Sequence, residues 1–312
     1  MLAYHVYRSG SGRRDSSKEV EADESDAEPR RITVKEERPA LPWMSTAASV
    51  VLLVTMLGIL VTTLIIAAMA SGNKHVTSGK HGSCLDGSPP AYHLSQGAMR
   101  SIDKWLVHLS GGGWCTLDQS EDTKFVTDHC ALRATTPYGT SRLAPNLVDM
   151  EESSAYFNRD AKANPLFHDW NYVWIWYCDG SSYSSNLKDK VVYTKEDGQP
   201  VDLYFKGHGL LVDIFEDLLE NQGMNGATDV VISGCSAGGL GVLLNVDWLG
   251  KLLPEKTFVT ALPDSGFFLE WFAPAANTKY DSYAKTMKWI YESTNASSAV
   301  NQECVRDCKP ET

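Results

Sequence analysis

The stretch Asp229–Leu249, DVVISGCSAGGLGVLLNVDWL, decides the fold. Asp229 to Ser233 is a short β-branched, apolar run that reads as a buried strand. From about Ala237 to Leu249 the apolar residues continue for helical length. Between them, Gly234-Cys235-Ser236-Ala237-Gly238 fits G-x-S-x-G. A strand running in and a helix running out make this a nucleophile elbow, whose tight turn demands small neighbours, hence Gly234, Gly238 and Gly239. Such a turn lifts the Ser236 hydroxyl out at the carboxyl end of the sheet and turns the Ala237 N–H toward the attacked carbonyl as an oxyanion donor. The bland competitor is a glycine-rich turn with a chance serine. A phosphate loop fits poorly, because no Lys follows the glycines.

Working outward, Trp105 to Leu109 reads as a strand stopped by Ser110-Gly-Gly-Gly113, followed by Trp114-Cys115. Glycines at the end of an earlier strand let backbone N–H groups approach a developing oxyanion, the second part a serine hydrolase needs. Tyr172 to Tyr177 (YVWIWY) and Phe258 to Leu262 (FVTAL) read as further strands. Gly209 to Gln222 repeats Leu210, Leu211, Ile214, Phe215, Leu218 and Leu219 at helical spacing, with Asp213, Glu216, Asp217 and Glu220 opposite. Strands alternating with helices predict an α/β fold, a parallel sheet with helices on both faces.

The 312 residues divide by composition into a tail at 1–45, an apolar stretch at 46–70, a linker at 71–83 and a domain at 84–312. The tail is Ser/Asp/Glu-rich over Asp15 to Glu28 and is expected to be disordered. The apolar stretch carries no charge and, as a helix, covers the roughly 30 Å of a hydrocarbon core, so it reads as a transmembrane signal-anchor. Arg30, Arg31, Lys35 and Arg38 precede it and only Lys74 and Lys80 follow closely, which places the N-terminus in the cytoplasm and the domain outside or in a lumen: a single-pass type II membrane protein. All seven Cys (84, 115, 130, 178, 235, 304 and 308) follow the stretch, as an oxidising compartment favours, and Asn295-Ala296-Ser297 is a glycosylation acceptor. A net charge of −11 argues against a nucleic-acid partner.

Several collinear motifs resemble the pectin acetylesterase/Notum family of serine carboxylesterases: Cys84-Leu-Asp-Gly-Ser88, Ser110-Gly-Gly-Gly-Trp-Cys115, Asn164-Pro-Leu-Phe167 with Asp169-Trp-Asn171, Tyr177-Cys-Asp179, Ser233-Gly-Cys-Ser-Ala-Gly-Gly239 and Asp264-Ser-Gly-Phe-Phe268. The resemblance implies an α/β-hydrolase-like fold and hydrolysis of an O-acyl ester, acetyl or longer, through an acyl-enzyme on Ser236. It implies an oxyanion hole from the Gly113, Trp114 and Ala237 N–H groups, with Gly112 as a neighbour, and no cofactor or metal. It implies disulfides Cys84–Cys178 and Cys115–Cys130, and a Cys235 that stays reduced and buried beside the nucleophile. The substrate would be an acylated polysaccharide or an acylated protein.

The triad is where the expectation breaks. A serine nucleophile needs a His base and a carboxylate that orients it, in the chain order Ser, Asp/Glu, His. All eight His lie at or before position 208, so the triad Asp and His are expected to be absent from this chain and the domain's C-terminal part to be missing. Asp264 reads as structural, and His108, His168 or His208 would have to stand in as base. The alternative to an esterase is a catalytically inactive glycan- or lipid-binding membrane protein, or a non-functional fragment lacking the acid and base.

Overall fold

The computed structural model describes residues 46–118, 127–151, 154–269 and 281–307. In chain order the elements are α1 (Thr46–Ala70), β1 (Ser71–Val76), β2 (Ala91–Ser95), β3 (Lys104–Leu109), β4 (Trp114–Thr116), β5 (Thr127–His129), α2 (Cys130–Arg133), β6 (Leu147–Asp149), β7 (Asn171–Ile175), β8 (Val191–Thr194), β9 (Pro200–Leu203), α3 (Gly207–Glu220), β10 (Asp229–Cys235), α4 (Ala237–Leu252), β11 (Phe258–Asp264), α5 (Asp281–Ser293) and α6 (Gln302–Asp307). The expected tail at 1–45 lies outside the described residues.

The main sheet has seven strands in the order β11-β10-β3-β7-β2-β1-β6. β11, β10, β3 and β7 run parallel, in line with the expected topology. The other side of the sheet corrects the all-parallel expectation: β2 is antiparallel to β7, and β1 pairs antiparallel with both β2 and β6. The parallel half carries the elbow strand at its centre, flanked by β3 and β11.

Helices on both faces are not found among the described residues. One face packs Trp105, Val107, Leu109, Val173, Ile175, Val230 and Ile232 against buried residues of α3 and α4. The other packs Leu106 and Tyr172 against Met150 and Phe157, in a segment whose helical part is the single 3-10 turn Ala155–Phe157 rather than an α-helix. Arg159 ties that segment down, donating to the carbonyls of His168 (3.2 Å), Trp170 (2.6 Å) and Ser95 (3.2 Å) and lying 3.6 Å from the Tyr172 ring centroid.

α3 buries Leu210, Leu211, Ile214, Phe215 and Leu218 as the periodicity predicts. Asp213 departs from the expected solvent face and is 3% exposed. Its carboxylate accepts from the His81 N–H (3.0 Å) and the Gly82 N–H (2.8 Å), so burial is matched by two backbone donors. Gly82 and Gly209 permit this approach: a Cβ on Gly82 would stand 1.9 Å from the Leu210 nitrogen.

α1 occupies the stretch expected to be the membrane anchor, and its described apolar side chains, Val50 to Val61, are exposed. Among the described residues no helix is long and apolar enough to cross a membrane. The side chains of α1 are described only over 49–61, roughly 20 Å of helix against a core of about 30 Å.

Both implied disulfides are present: Cys84–Cys178 and Cys115–Cys130, with sequence separations of 94 and 15. Cys308 lies outside the described residues. Loop-closure entropy gives the shorter bridge about 3 kcal/mol and the longer about 4–5 kcal/mol. Replacing Cys115 and Cys130 by Ser is therefore expected to lower urea-unfolding stability by about 3 kcal/mol, and replacing Cys84 and Cys178 by more.

His108, on β3, is 2% exposed, within 2.9 Å of the Ser233 hydroxyl, and stacked on Trp174 at 4.6 Å. Burial pushes its imidazole from 6.5 down to about 4, opposed only by the negative charge of Asp264. The unfolded chain binds this proton more readily, so the stability associated with neutral His108 is present above pH 6.5 and is lost as pH falls toward 4, about 3 kcal/mol in all. The urea-unfolding free energies of the wild type and His108→Gln, compared from pH 7 to pH 4, are expected to converge by about that amount.

Candidate active site

β10 ends at Cys235, α4 begins at Ala237, and Ser236 joins them with φ 58° and ψ −122°. A non-glycine residue in this region is strained and persists only where its surroundings over-determine it. Here the Ser236 N–H donates to the Asp264 carbonyl at 3.1 Å, and the Ser236 carbonyl accepts from the Leu240 N–H at 3.0 Å. The small-residue requirement read from the motif is met in space. A Cβ on Gly238 would lie 1.9 Å from the Leu109 carbonyl oxygen, and one on Gly234 would lie 2.5 Å from the Gly238 oxygen.

The glycine loop after β3 sits against this turn. A Cβ on Gly111 would meet the Cys235 oxygen at 2.2 Å and the Ala237 nitrogen at 3.1 Å. Gly113 has φ +68° and faces open space. Ala237 is the first residue of α4, so its N–H has no intrahelical acceptor. Trp114 opens β4 in register with Thr127, and its ring is buried: Nε1 donates to Ser182 Oγ at 2.8 Å, Phe268 packs edge-on at 5.0 Å and Tyr283 lies at 5.6 Å. The elbow and the glycine loop, named separately from the sequence, are therefore brought together. Phe267 points outward at 80% exposure.

None of the histidines considered as stand-in bases is placed at Ser236. His108 engages Ser233, His168 binds the Asn164 carbonyl at 3.1 Å, and His208 packs on Trp248 at 4.6 Å. Among the described residues no imidazole is hydrogen-bonded to Ser236. The Asp264 carboxylate is engaged by two hydroxyls: Oδ1 accepts from Ser265 Oγ at 3.0 Å and Oδ2 from the Tyr156 hydroxyl at 3.2 Å. Cys235 is a free thiol but is exposed rather than buried, since it terminates the strand beyond the packed part of β10. Partial desolvation, and then the Asp264 charge, push its thiol up, which disfavours the thiolate. Asn295 is exposed, and its side-chain amide donates to the Asn186 carbonyl at 3.0 Å.

The segment Asp179–Ser185 (DGSSYSS) has a role that sequence reading missed. Asp179 is fully buried, and its Oδ2 accepts from the Ser181 hydroxyl, the Ser181 N–H (3.1 Å) and the Tyr183 N–H (2.9 Å). Desolvation pushes its carboxyl up from the ordinary value. The signal available in sequence was a conformational one, a single Gly followed by a serine run, and it carries no partner information.

Two cavities adjoin the site. One of about 290 Å³ opens beside Ser110 and Gly111, walled by Pro137, Tyr138, Trp174, Trp176 and Tyr177. The other, about 250 Å³ and mostly apolar, lies between Leu240 and Leu244 of α4 and Tyr283, Met287 and Ile290 of α5. A larger cavity, about 490 Å³ beside His129 and Tyr193, includes no residue of the elbow or the glycine loop.

A family profile described as Pectinacetylesterase matches residues 68–312. Pectin acetylesterase 5 of Arabidopsis thaliana is 32% identical over 227 residues, covering 73% of this chain and 48% of that protein. The palmitoleoyl-protein carboxylesterase NOTUM of Schmidtea mediterranea is 32% identical over 192 residues, covering 60% of this chain and 33% of that protein. The solved structure of the Wnt deacylase Notum from Drosophila superposes with a TM-score of 0.60 at 24% identity, over 77% of this chain and 65% of that one, a likeness of fold. The chain spans about half the length of the curated pectin acetylesterases it matches. With the elbow, the facing glycine loop and this match over most of its length, the chain belongs to the pectinacetylesterase family.

Proposed function

We propose that this chain carries the acyl-transfer centre of a serine carboxylesterase that hydrolyses O-acyl esters, acetyl or longer, on an extracytoplasmic polysaccharide or protein. The observation that carries this reading is the strained Ser236 turn at the mouth of β10, packed by backbone against the Gly111–Gly113 loop. Ser236 Oγ attacks the ester carbonyl, and the hydroxyl proton leaves with the alcohol. The carbonyl oxygen, negative in the tetrahedral intermediate, rests on the Gly113, Trp114 and Ala237 N–H groups. Collapse of the intermediate leaves an acyl-Ser236 and a free alcohol, and attack of water on the acyl carbonyl then releases the carboxylic acid and restores the Ser236 hydroxyl.

Relatives named pectin acetylesterase and palmitoleoyl-protein carboxylesterase support both acceptor classes. The mostly apolar cavity lined by Leu240, Leu244, Tyr283 and Met287 supplies room for the acyl group beside the elbow. The two disulfides support an oxidising, extracytoplasmic setting, with Asn295 as an exposed glycan acceptor. The single-pass anchor over 46–70 rests on its charge-free sequence. The second reading, an inactive glycan- or lipid-binding protein, is favoured by one observation: no described imidazole meets Ser236.

The acyl-enzyme separates the two readings better than turnover, since an oxyanion hole alone retains about 10³–10⁴-fold catalysis over water. Incubating the full chain with p-nitrophenyl acetate is expected to release p-nitrophenolate and to acetylate the peptide carrying Ser236, seen by mass spectrometry. Ser236→Ala should show neither. Acetylation that persists in Ser236→Ala, or none in the wild type, would refute the esterase reading. Gly111→Ala drives a Cβ into the Cys235 carbonyl and is expected to slow acylation about 100-fold. It should also cost about 1–3 kcal/mol of stability.

A further inference from the structure

A glycine loop is a poor scaffold for an oxyanion hole unless something fixes its peptide planes, because glycine crosses freely between positive and negative φ. In a trans peptide the carbonyl of one residue and the N–H of the next point in opposite directions. Pinning a carbonyl therefore aims the following N–H. Three carbonyls of the loop are pinned by side-chain donors. The Ser110 oxygen accepts from the Tyr183 hydroxyl, the Gly112 oxygen from Arg133 Nη2, and the Gly113 oxygen from the Tyr177 hydroxyl, each at 2.8 Å.

The donors are themselves fixed. Arg133 is 2% exposed, gives Nε to the Tyr138 carbonyl (3.1 Å) and Nη1 to Asp128 (2.9 Å), and lies 5.4 Å from the Tyr177 ring centroid. A fully buried arginine that spends a guanidinium nitrogen on a glycine carbonyl is there for geometry rather than solubility. The Tyr177 oxygen also accepts from the Ser182 N–H (3.0 Å), and Tyr183 is anchored by the buried Asp179 (2.9 Å). Burial pushes both phenols up, so both stay protonated as donors.

We propose that Arg133 and Tyr177 are positioning residues for the acyl transfer: Arg133, on the Gly112 carbonyl, presets the Gly113 N–H, and Tyr177, on the Gly113 carbonyl, presets the Trp114 N–H toward the oxyanion, while Tyr183 on the Ser110 carbonyl fixes the start of the loop. None of the three touches the reacting atoms; each acts through the loop backbone. The proposal rests on the Ser236 esterase reading.

The test measures, on the full chain, the limiting acylation rate and half-saturating concentration for p-nitrophenyl acetate, and the affinity for phenylboronic acid, whose tetrahedral adduct on Ser236 carries the negative oxygen. Tyr177→Phe and Arg133→Lys are expected to lower the limiting rate about tenfold to a hundredfold and to weaken the boronate at least tenfold, with half-saturation within about twofold. Tyr172→Phe deletes a buried hydroxyl that donates to the Phe167 carbonyl at 2.9 Å, remote from the elbow, and serves as the structural control: its thermal midpoint drops while its limiting rate holds. The proposal is overturned if Tyr177→Phe and Arg133→Lys keep the wild-type rate and boronate affinity. It is overturned equally if their rate falls only as far as that of Tyr172→Phe at matched loss of midpoint. If the wild type binds boronate no better than Ser236→Ala and is not acylated, the esterase reading itself fails, and the positioning role falls with it.

Discussion

The site depends on one backbone-to-backbone contact. The first turn of α4 and the end of β3 come so close that a single methyl on Gly238 would overlap the Leu109 carbonyl, and one on Gly111 would overlap that of Cys235. Side chains cannot make an approach of this kind, because any Cβ separates the two chains. The glycines are thus a steric requirement rather than a source of motion. The flexibility that glycine brings is removed elsewhere, by buried side-chain donors and by the register of β10 between β3 and β11. Ser236 keeps its unfavourable backbone angles because the Asp264 carbonyl takes its N–H and α4 takes its carbonyl.

The parts of the fold that repeat locally were legible. Strand β10, helix α4, the elbow between them and the glycine loop all announce themselves in a few consecutive residues. The antiparallel β2-β1-β6 side was not, because β1 reads SGNKHV, a polar run with no strand pattern, and β6 is only three residues long. Asp213 was misplaced for a related reason. Helical periodicity counts charge as a solvent signal, and it has no knowledge of the His81 and Gly82 N–H groups that make burial of this carboxylate tolerable. The segment over Met150 and Phe157 likewise covers a sheet face without helical periodicity, held by Arg159 contacts that no local pattern encodes. The turn at Ser236 was readable, whereas the bonds from Arg133 and Tyr183 to the glycine loop were not: a long-range bond to a carbonyl leaves no trace in the chain's own pattern.

The His residues show the same division between chemistry and context. His108, on the strand before the glycine loop, is a plausible base by position. Its environment makes it a neutral core group, stacked on Trp174, met edge-on by Phe157 and tied to Ser233. Burial that disfavours the imidazolium would also oppose the proton uptake a general base must perform.

The Cys115–Cys130 bridge has a further consequence. Cys115 follows Trp114 directly, and Cys130 is the first residue of α2, the short helix that ends at Arg133. One covalent bond thus joins the strand leaving the glycine loop to the helix that supplies the loop's guanidinium. A chain with these thiols still reduced would hold the two pieces only by non-covalent contacts. Closing this bridge and seating Arg133 on the Gly112 carbonyl are therefore coupled through four residues of chain, so that one oxidation ties the strand leaving the glycine loop to the side chain that braces it.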